Sequence, residues 1–97
     1  MAASELPIPP SAASDIGAKE ILRVWVAGGR QHVSLATGEW KDPAAWGIML
    51  VDLARHLANA HAQTRQSNPA EVMARIREGF DAEWEHPTDK PTGGILA

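Results

Sequence analysis

The chain has 97 residues, a net charge of −3 and no cysteine. This length suffices for one domain and leaves a core of marginal size. Without cysteine the chain cannot form disulfides or thiolate metal sites. Its acidic balance argues against nucleic-acid binding, which usually requires a basic surplus.

The first ten residues, MAASELPIPP, lack the basic region and apolar run of a secretory signal. No segment approaches the roughly 18 apolar residues of a membrane span. We therefore expect a soluble, cytoplasmic protein that does not contact membranes, with a composition that fits a bacterial source.

Composition along the chain predicts one domain between two tails. The opening segment, residues 1–13, is rich in proline and small residues, which is typical of a disordered tail. A single α+β domain is predicted over residues 14–86, beginning with a short helical turn from Ser14 or Asp15 through Glu20. Residues 87–97 are turn-rich and are predicted to form a flexible C-terminal tail.

Two strands joined by a tight turn are predicted near the start of this domain. Apolar residues alternate over Leu22–Ala27 and again over Gln31–Ala36. Gly28 and Gly29 between them supply the positive φ angles that a tight hairpin turn requires. Because an isolated hairpin is marginal in water, we expect helices to cover one of its faces.

A long helix is predicted to begin at Pro43, with Asp42 capping its first turn. At about 100° per residue, one side of this helix forms a predicted core stripe of Trp46, Met49, Leu50, Leu53, Leu57 and Ala60. Ile48 and Val51 lie outside that stripe. The first half of the helix is therefore apolar nearly all round, which is typical of burial on more than one side.

A second helix follows after a short turn. Asn68 and Glu71 resemble a capping box, with Pro69 at the first helical position. The helix is expected to end near His86, because a proline follows. Its apolar stripe consists of Val72, Met73, Ile76, Phe80 and Trp84. The elements together predict an α+β fold, a β-hairpin followed by two amphipathic antiparallel helices.

This excess of apolar surface in a small chain predicts a homodimer. The candidate interface residues are Trp25, Trp40, Ile48 and Val51. Trp25 lies on the hairpin face opposite the apolar one, and Trp40 precedes the first helix as a staple or a contact residue. In such a dimer the two hairpins could join into a four-stranded sheet.

Six polar residues are candidates for binding a small molecule or an anion: Arg23, Arg30, His32, Asp52, Arg55 and His56. The first three would form an anion-attracting patch near the hairpin turn, although Gly28-Gly29-Arg30 lacks the spacing of a phosphate-binding loop. On the helix, Asp52 could orient His56 as a general base, and Arg55 could hold an anion. A solvated helix face with ordinary charge pairs explains the same residues more simply.

No catalytic, metal-ligating or cofactor-binding residues are predicted. His56 and His61 are five residues apart on one helix and therefore about 140° apart around its axis, which does not suit joint ligation of a metal. No nucleophile is placed beside His56. Enzymatic activity therefore has no support in the sequence, although the sequence does not exclude it.

Several stretches together resemble a family of small bacterial domains of unknown function. They are Leu22-Arg23-Val24-Trp25, Gln31-His32-Val33, the segment DPAAWGIMLVDLARH from Asp42 to His56, and Gly79-Phe80-Asp81-Ala82-Glu83-Trp84. They span approximately residues 20 to 85. The resemblance supports the predicted fold and implies no activity, cofactor or site residue.

The function expected from the sequence is that of a non-catalytic homodimeric interaction or regulatory module. The alternative is a small-molecule or anion-binding domain that uses the hairpin face and the Asp52–His56 side of the helix. No cofactor is expected for either function.

Overall fold

A β-hairpin and two long helices form most of the molecule. The computed structural model describes residues 3–88 and the backbone of residues 92–95. The elements in chain order are α1 (Pro10–Ala13), β1 (Leu22–Ala27), β2 (Arg30–Leu35), α2 (Ala44–Arg65), α3 (Pro69–Glu85) and β3 (Thr92–Ile95). The predicted α+β fold, a hairpin followed by two long helices, is confirmed.

The hairpin turns as its glycines predict. Gly28 and Gly29 have φ angles of 59° and 74°, the two positive values of a type I′ turn. The antiparallel register pairs Val24 with Val33 and Trp25 with His32. Since side chains alternate across a strand, one side of the hairpin carries five apolar residues and Gln31. The five, Leu22, Val24, Val26, Val33 and Leu35, are here called the apolar sheet face.

A third strand extends the hairpin into a sheet of order β1-β2-β3. β3 runs parallel to β2, with Val33 opposite Gly93 and Leu35 opposite Ile95. It lies in the segment where the sequence predicts a tail. Because β3 lies along the outer edge of β2, two copies joined edge to edge would meet at β1 or at the free edge of β3. Such a joined sheet would contain six strands, and the joining of two sheets in a dimer stays a prediction.

The N-terminal segment differs from its prediction in one detail. The short helix α1 lies at Pro10–Ala13, before the predicted helical turn, and Ser14 is its C-cap. The residues that follow form a bend in which the Gly17 amide donates to Asp15 Oδ1 over 2.8 Å. Asp15 therefore stabilises a local turn instead of beginning a helix.

α3 begins at Pro69 with Asn68 as its cap, as predicted, whereas α2 begins at Ala44, one residue after the predicted start, with Pro43 as its N-cap. Asp42 Oδ1 accepts a hydrogen bond from the Ala44 amide over 3.0 Å, and Asn68 Oδ1 accepts one from the Ala70 amide over 2.8 Å. These bonds satisfy amides that have no partner within the helix. Between the helices, Gln66 adopts a left-handed conformation with φ of 53°, which allows the chain to reverse.

The two helices pack through the alanine side of α2. Ala58 is the one fully buried residue among residues 3–88, and Ala54 and Ala62, four positions before and after it, are half-buried. On α3 the half-buried apolar residues are Val72, Met73 and Ile76. The predicted core stripe of α2 is therefore wrong in part, because its leucines lie away from this contact.

The helices do not cover the sheet within one chain. Among the described elements, no Cα atom of a strand lies within 8 Å of a Cα atom of α2 or α3. The expectation that the helices cover one sheet face is therefore wrong for the single chain. None of the helices in the described part is both long and apolar enough to cross a membrane.

Candidate functional site

The largest apolar strip of α2 is open. Leu50, Leu53 and Leu57, here called the leucine stripe, are all exposed. They follow one another at three- and four-residue spacing, so they form one continuous side of the helix. Leu57, for example, is 57% exposed. Scattered surface leucines are ordinary, but a contiguous strip is typical of an interaction surface.

The apolar residues at the far end of the helix pair are also open. Ile48 is 66% exposed and Val51 45% exposed, as the sequence predicts for residues that a single chain cannot cover. Phe80 and Trp84 lie on the α3 stripe that meets α2 near the turn, and their rings stack with centroids 5.8 Å apart. Trp84 is nevertheless 73% exposed, so its predicted place in the core is wrong for the single chain.

The apolar sheet face presents a third open surface. Val24 is exposed, Val26 is 80% exposed, and Leu22, Val33 and Leu35 are half-buried. A two-layer domain normally buries such a face under helices. In this chain it lacks that layer, because the described helices pack only on each other.

The whole chain is correspondingly open. Its accessible surface is 8515 Å², whereas a folded monomer of 10.4 kDa exposes about 5,400 Å². Its radius of gyration is 15.4 Å, against about 12.5 Å for a compact domain of this length. The excess surface is about 3,100 Å², and large apolar side chains such as Val26, Ile48 and Leu57 are among the exposed residues.

The two tryptophans predicted for the interface both have partners within the chain. Trp40 contacts Trp46 edge-to-face with centroids 5.1 Å apart, so it staples the linker to the start of α2. The Trp25 ring lies 6.0 Å from the Arg23 guanidinium, a cation–π distance. Both Trp25 and Trp40 are half-buried, and their role in an interface stays a prediction.

The guanidinium of Arg23 is already matched by carboxylates. It pairs with Glu20 at 2.9 Å and with Glu5 at 3.0 Å. The hydrogen bond to Glu20, together with the charges of Glu20 and Glu5, raises the pKa of Arg23 above its usual value. An anion would have to compete with two carboxylates for this group, which weakens the case for an anion site there.

The other candidate binding residues lie on two separate parts of the molecule. Arg30 begins β2, and His32 Nε2 lies 3.2 Å from the carbonyl oxygen of Ala27. On α2, Arg55 pairs with Asp52 at 3.5 Å, and both side chains are exposed, as is His56. Since the strands and α2 do not meet, one chain does not bring the hairpin residues and the helix residues together.

The cavities are shallow or open to solvent. A cavity of about 240 Å³ between α2 and α3 is lined by Arg55, Ala58, Asn59, Pro69, Ala70 and Met73. A wider groove separates the N-terminal segment from β1 and has Trp25 and Arg23 on its wall. Among the described residues, no group of three or more histidine, aspartate or glutamate side chains is arranged to hold a metal ion.

A family model matches residues 5–88, nearly the whole described region. The chain belongs to the family Domain of unknown function (DUF5076). This confirms the resemblance to a family of unknown function and assigns no role to any residue.

One solved structure is similar over nearly its full length. It is described as "a putative pyruvate dehydrogenase from the photosynthetic bacterium Rhodopseudomonas palustrus CGA009". The two chains are 33% identical, the match covers 99% of this chain and 98% of the other, and the TM-score is 0.74. No curated protein matches this chain.

Sequence reasoning located the exposed apolar residues of α2 only in part. It singled out Ile48 and Val51 but placed the leucine stripe in the core. The signal that could have separated the two sides is the series Ala54, Ala58 and Ala62. Small residues at four-residue spacing let another helix approach closely, and they identify the side of α2 that α3 occupies.

Proposed function

We propose that this DUF5076 chain is a non-catalytic interaction module that acts as a homodimer. The observation that supports this most strongly is the excess accessible surface of about 3,100 Å² over a compact monomer. Exposed large apolar side chains lie on the leucine stripe, at the far end of the helix pair and on the apolar sheet face. These regions lie on different elements, so a partner must contact several parts of the chain.

The amount of open surface fits an obligate dimer better than a transient contact. A standard interface buries about 800 Å² on each partner, and obligate homodimers bury about 2,000–5,000 Å² in total. Covering even half of the excess on each of two copies would reach the obligate range. A second copy also offers the same apolar surfaces in return, which a symmetric dimer requires.

Anion binding is the weaker candidate. The hairpin patch depends on Arg23, whose charge already pairs with Glu20 and Glu5. The helix candidates Asp52 and Arg55 pair with each other, as expected for an ordinary solvated helix face. Nothing in the geometry of the described residues adds a further cation that converges on either group.

We do not propose dehydrogenase activity for this chain. Ligand sites usually enclose their ligand in a pocket of about 300–1,000 Å³, whereas the cavity beside Arg55 measures about 240 Å³. The larger groove beside β1 reaches that size, at about 990 Å³, but is not enclosed. His56, the candidate general base, is exposed on α2.

The test is the mass of the chain in solution, measured by light scattering at micromolar concentration. We expect twice the chain mass of 10.4 kDa. Replacing Ile48 by glutamate should shift the mass toward that of one chain, because a charge cannot be buried without a partner. The matched control is Ala74→Glu, at an exposed position of α3, which should leave the dimer intact. A wild-type mass of one chain across the micromolar range would refute the proposal.

A further inference from the structure

The apolar sheet face and the leucine stripe are both apolar, and neither packs against another described element. The sheet face carries Val24 and Val26 on a surface that no described helix touches. The leucine stripe lies on the side of α2 away from α3. A sheet face is normally covered by helices lying across it. The leucine stripe of a helix is therefore suited to pack on the apolar sheet face.

The segment between β2 and α2 holds the two surfaces of one chain apart. Its beginning is tied to the base of the hairpin, since the Ala36 amide donates to the Ile21 carbonyl oxygen over 3.0 Å. Its middle is tied by an ion pair of 2.7 Å between Lys19 and Glu39. Its end is tied to α2 by the Trp40–Trp46 contact. These contacts fix the start of α2 beside the base of the hairpin, while the strands and α2 do not meet within the chain.

We infer that in the homodimer the leucine stripe of each copy packs on the apolar sheet face of the other. This inference rests on the proposed homodimer and specifies how the two copies meet. Two such contacts related by a twofold axis form a closed, isologous interface. Each contact covers residues such as Leu53 and Val24, which a single chain leaves open.

Thiol-specific cross-linking tests this arrangement, and the chain favours the method because it contains no cysteine. Val24→Cys and Leu53→Cys are made as separate full-length variants, one of them with a tag that changes its mass. The two are refolded together and treated with a short bismaleimide. We expect a linked species that contains one copy of each variant. The matched control, Val24→Cys with Ala74→Cys, should give at least tenfold less linked product.

The outcomes separate this inference from the proposed homodimer. If wild-type protein has the mass of two chains but the mixed sample gives no Val24–Leu53 product, the packing is wrong and the homodimer stands. A product joining two Leu53→Cys chains, at a higher yield than the mixed product, would also overturn the packing. So would a double variant, Val24→Cys with Leu53→Cys, that links within one chain at high dilution. A wild-type mass of one chain would refute the homodimer itself.

Discussion

At the residue scale, glycine has opposite effects at two kinds of position in this chain. Gly28 and Gly29 have positive φ angles in the hairpin turn, where a side chain would meet its own backbone. Gly79 lies within α3, and a Cβ atom added there meets nothing within 4 Å. Available space does not distinguish these positions, because a Cβ atom added at Gly28 also meets nothing within 4 Å. The difference lies in the conformation of the backbone.

The same substitution is therefore expected to change stability in opposite directions. Gly28→Ala should lower the free energy of unfolding by about 1–2 kcal/mol, because an L-residue is strained at a positive φ. Gly79→Ala should raise it by about 0.5–1 kcal/mol, because alanine favours the helix. Urea denaturation of both variants at one protein concentration measures the two changes. A loss of stability in Gly79→Ala would mean that a partner chain presses against that part of α3.

At the element scale, local side-chain chemistry predicts where each main element begins and ends. The Asp42 carboxylate and the side-chain amide oxygen of Asn68 accept hydrogen bonds from the first helical turns, and the Gly28-Gly29 pair forms the hairpin turn. These features depend on residues adjacent in sequence. For the same reason the two strands of the hairpin, the two long helices and their order could be predicted closely.

Features that depend on distant residues could not be predicted in the same way. Two sides of α2 are apolar, and periodicity alone does not say which one meets α3. The strand Thr92–Ile95 contains two glycines, which are depleted in strands, and its pairing with β2 is nonlocal. The candidate site could not be predicted for the same reason. The leucine stripe is open because α3 packs on the Ala58 side of α2, and that contact joins residues distant in sequence.

The leucine stripe gives the element-scale prediction. In the proposed homodimer Leu53 is covered, so Leu53→Ala should lower the free energy of unfolding by about 2–5 kcal/mol. The matched control is Leu6→Ala, because Leu6 lies in the N-terminal segment and is 92% exposed. That change should cost less than about 0.5 kcal/mol. Equally small effects of the two substitutions, measured by urea denaturation, would place Leu53 in solvent.

At the scale of the whole molecule, a single copy has a very small core. One residue is fully buried among residues 3–88, yet ordering each residue costs about 1.5 kcal/mol of conformational entropy. Small domains of this kind depend on a disulfide, a metal or a partner. The absence of cysteine excludes the first. Association with a second copy would bury apolar surface without a disulfide or a metal.

The dependence of unfolding on protein concentration tests this account most directly. If folding and dimerisation are coupled, each tenfold increase in concentration stabilises the folded state by about 1.4 kcal/mol of dimer. We expect the urea midpoint, followed by tryptophan fluorescence, to rise steadily as the protein concentration is increased from about 0.1 to 10 μM. A midpoint that stays constant over this range would contradict the account, because it would mean that one copy folds stably alone.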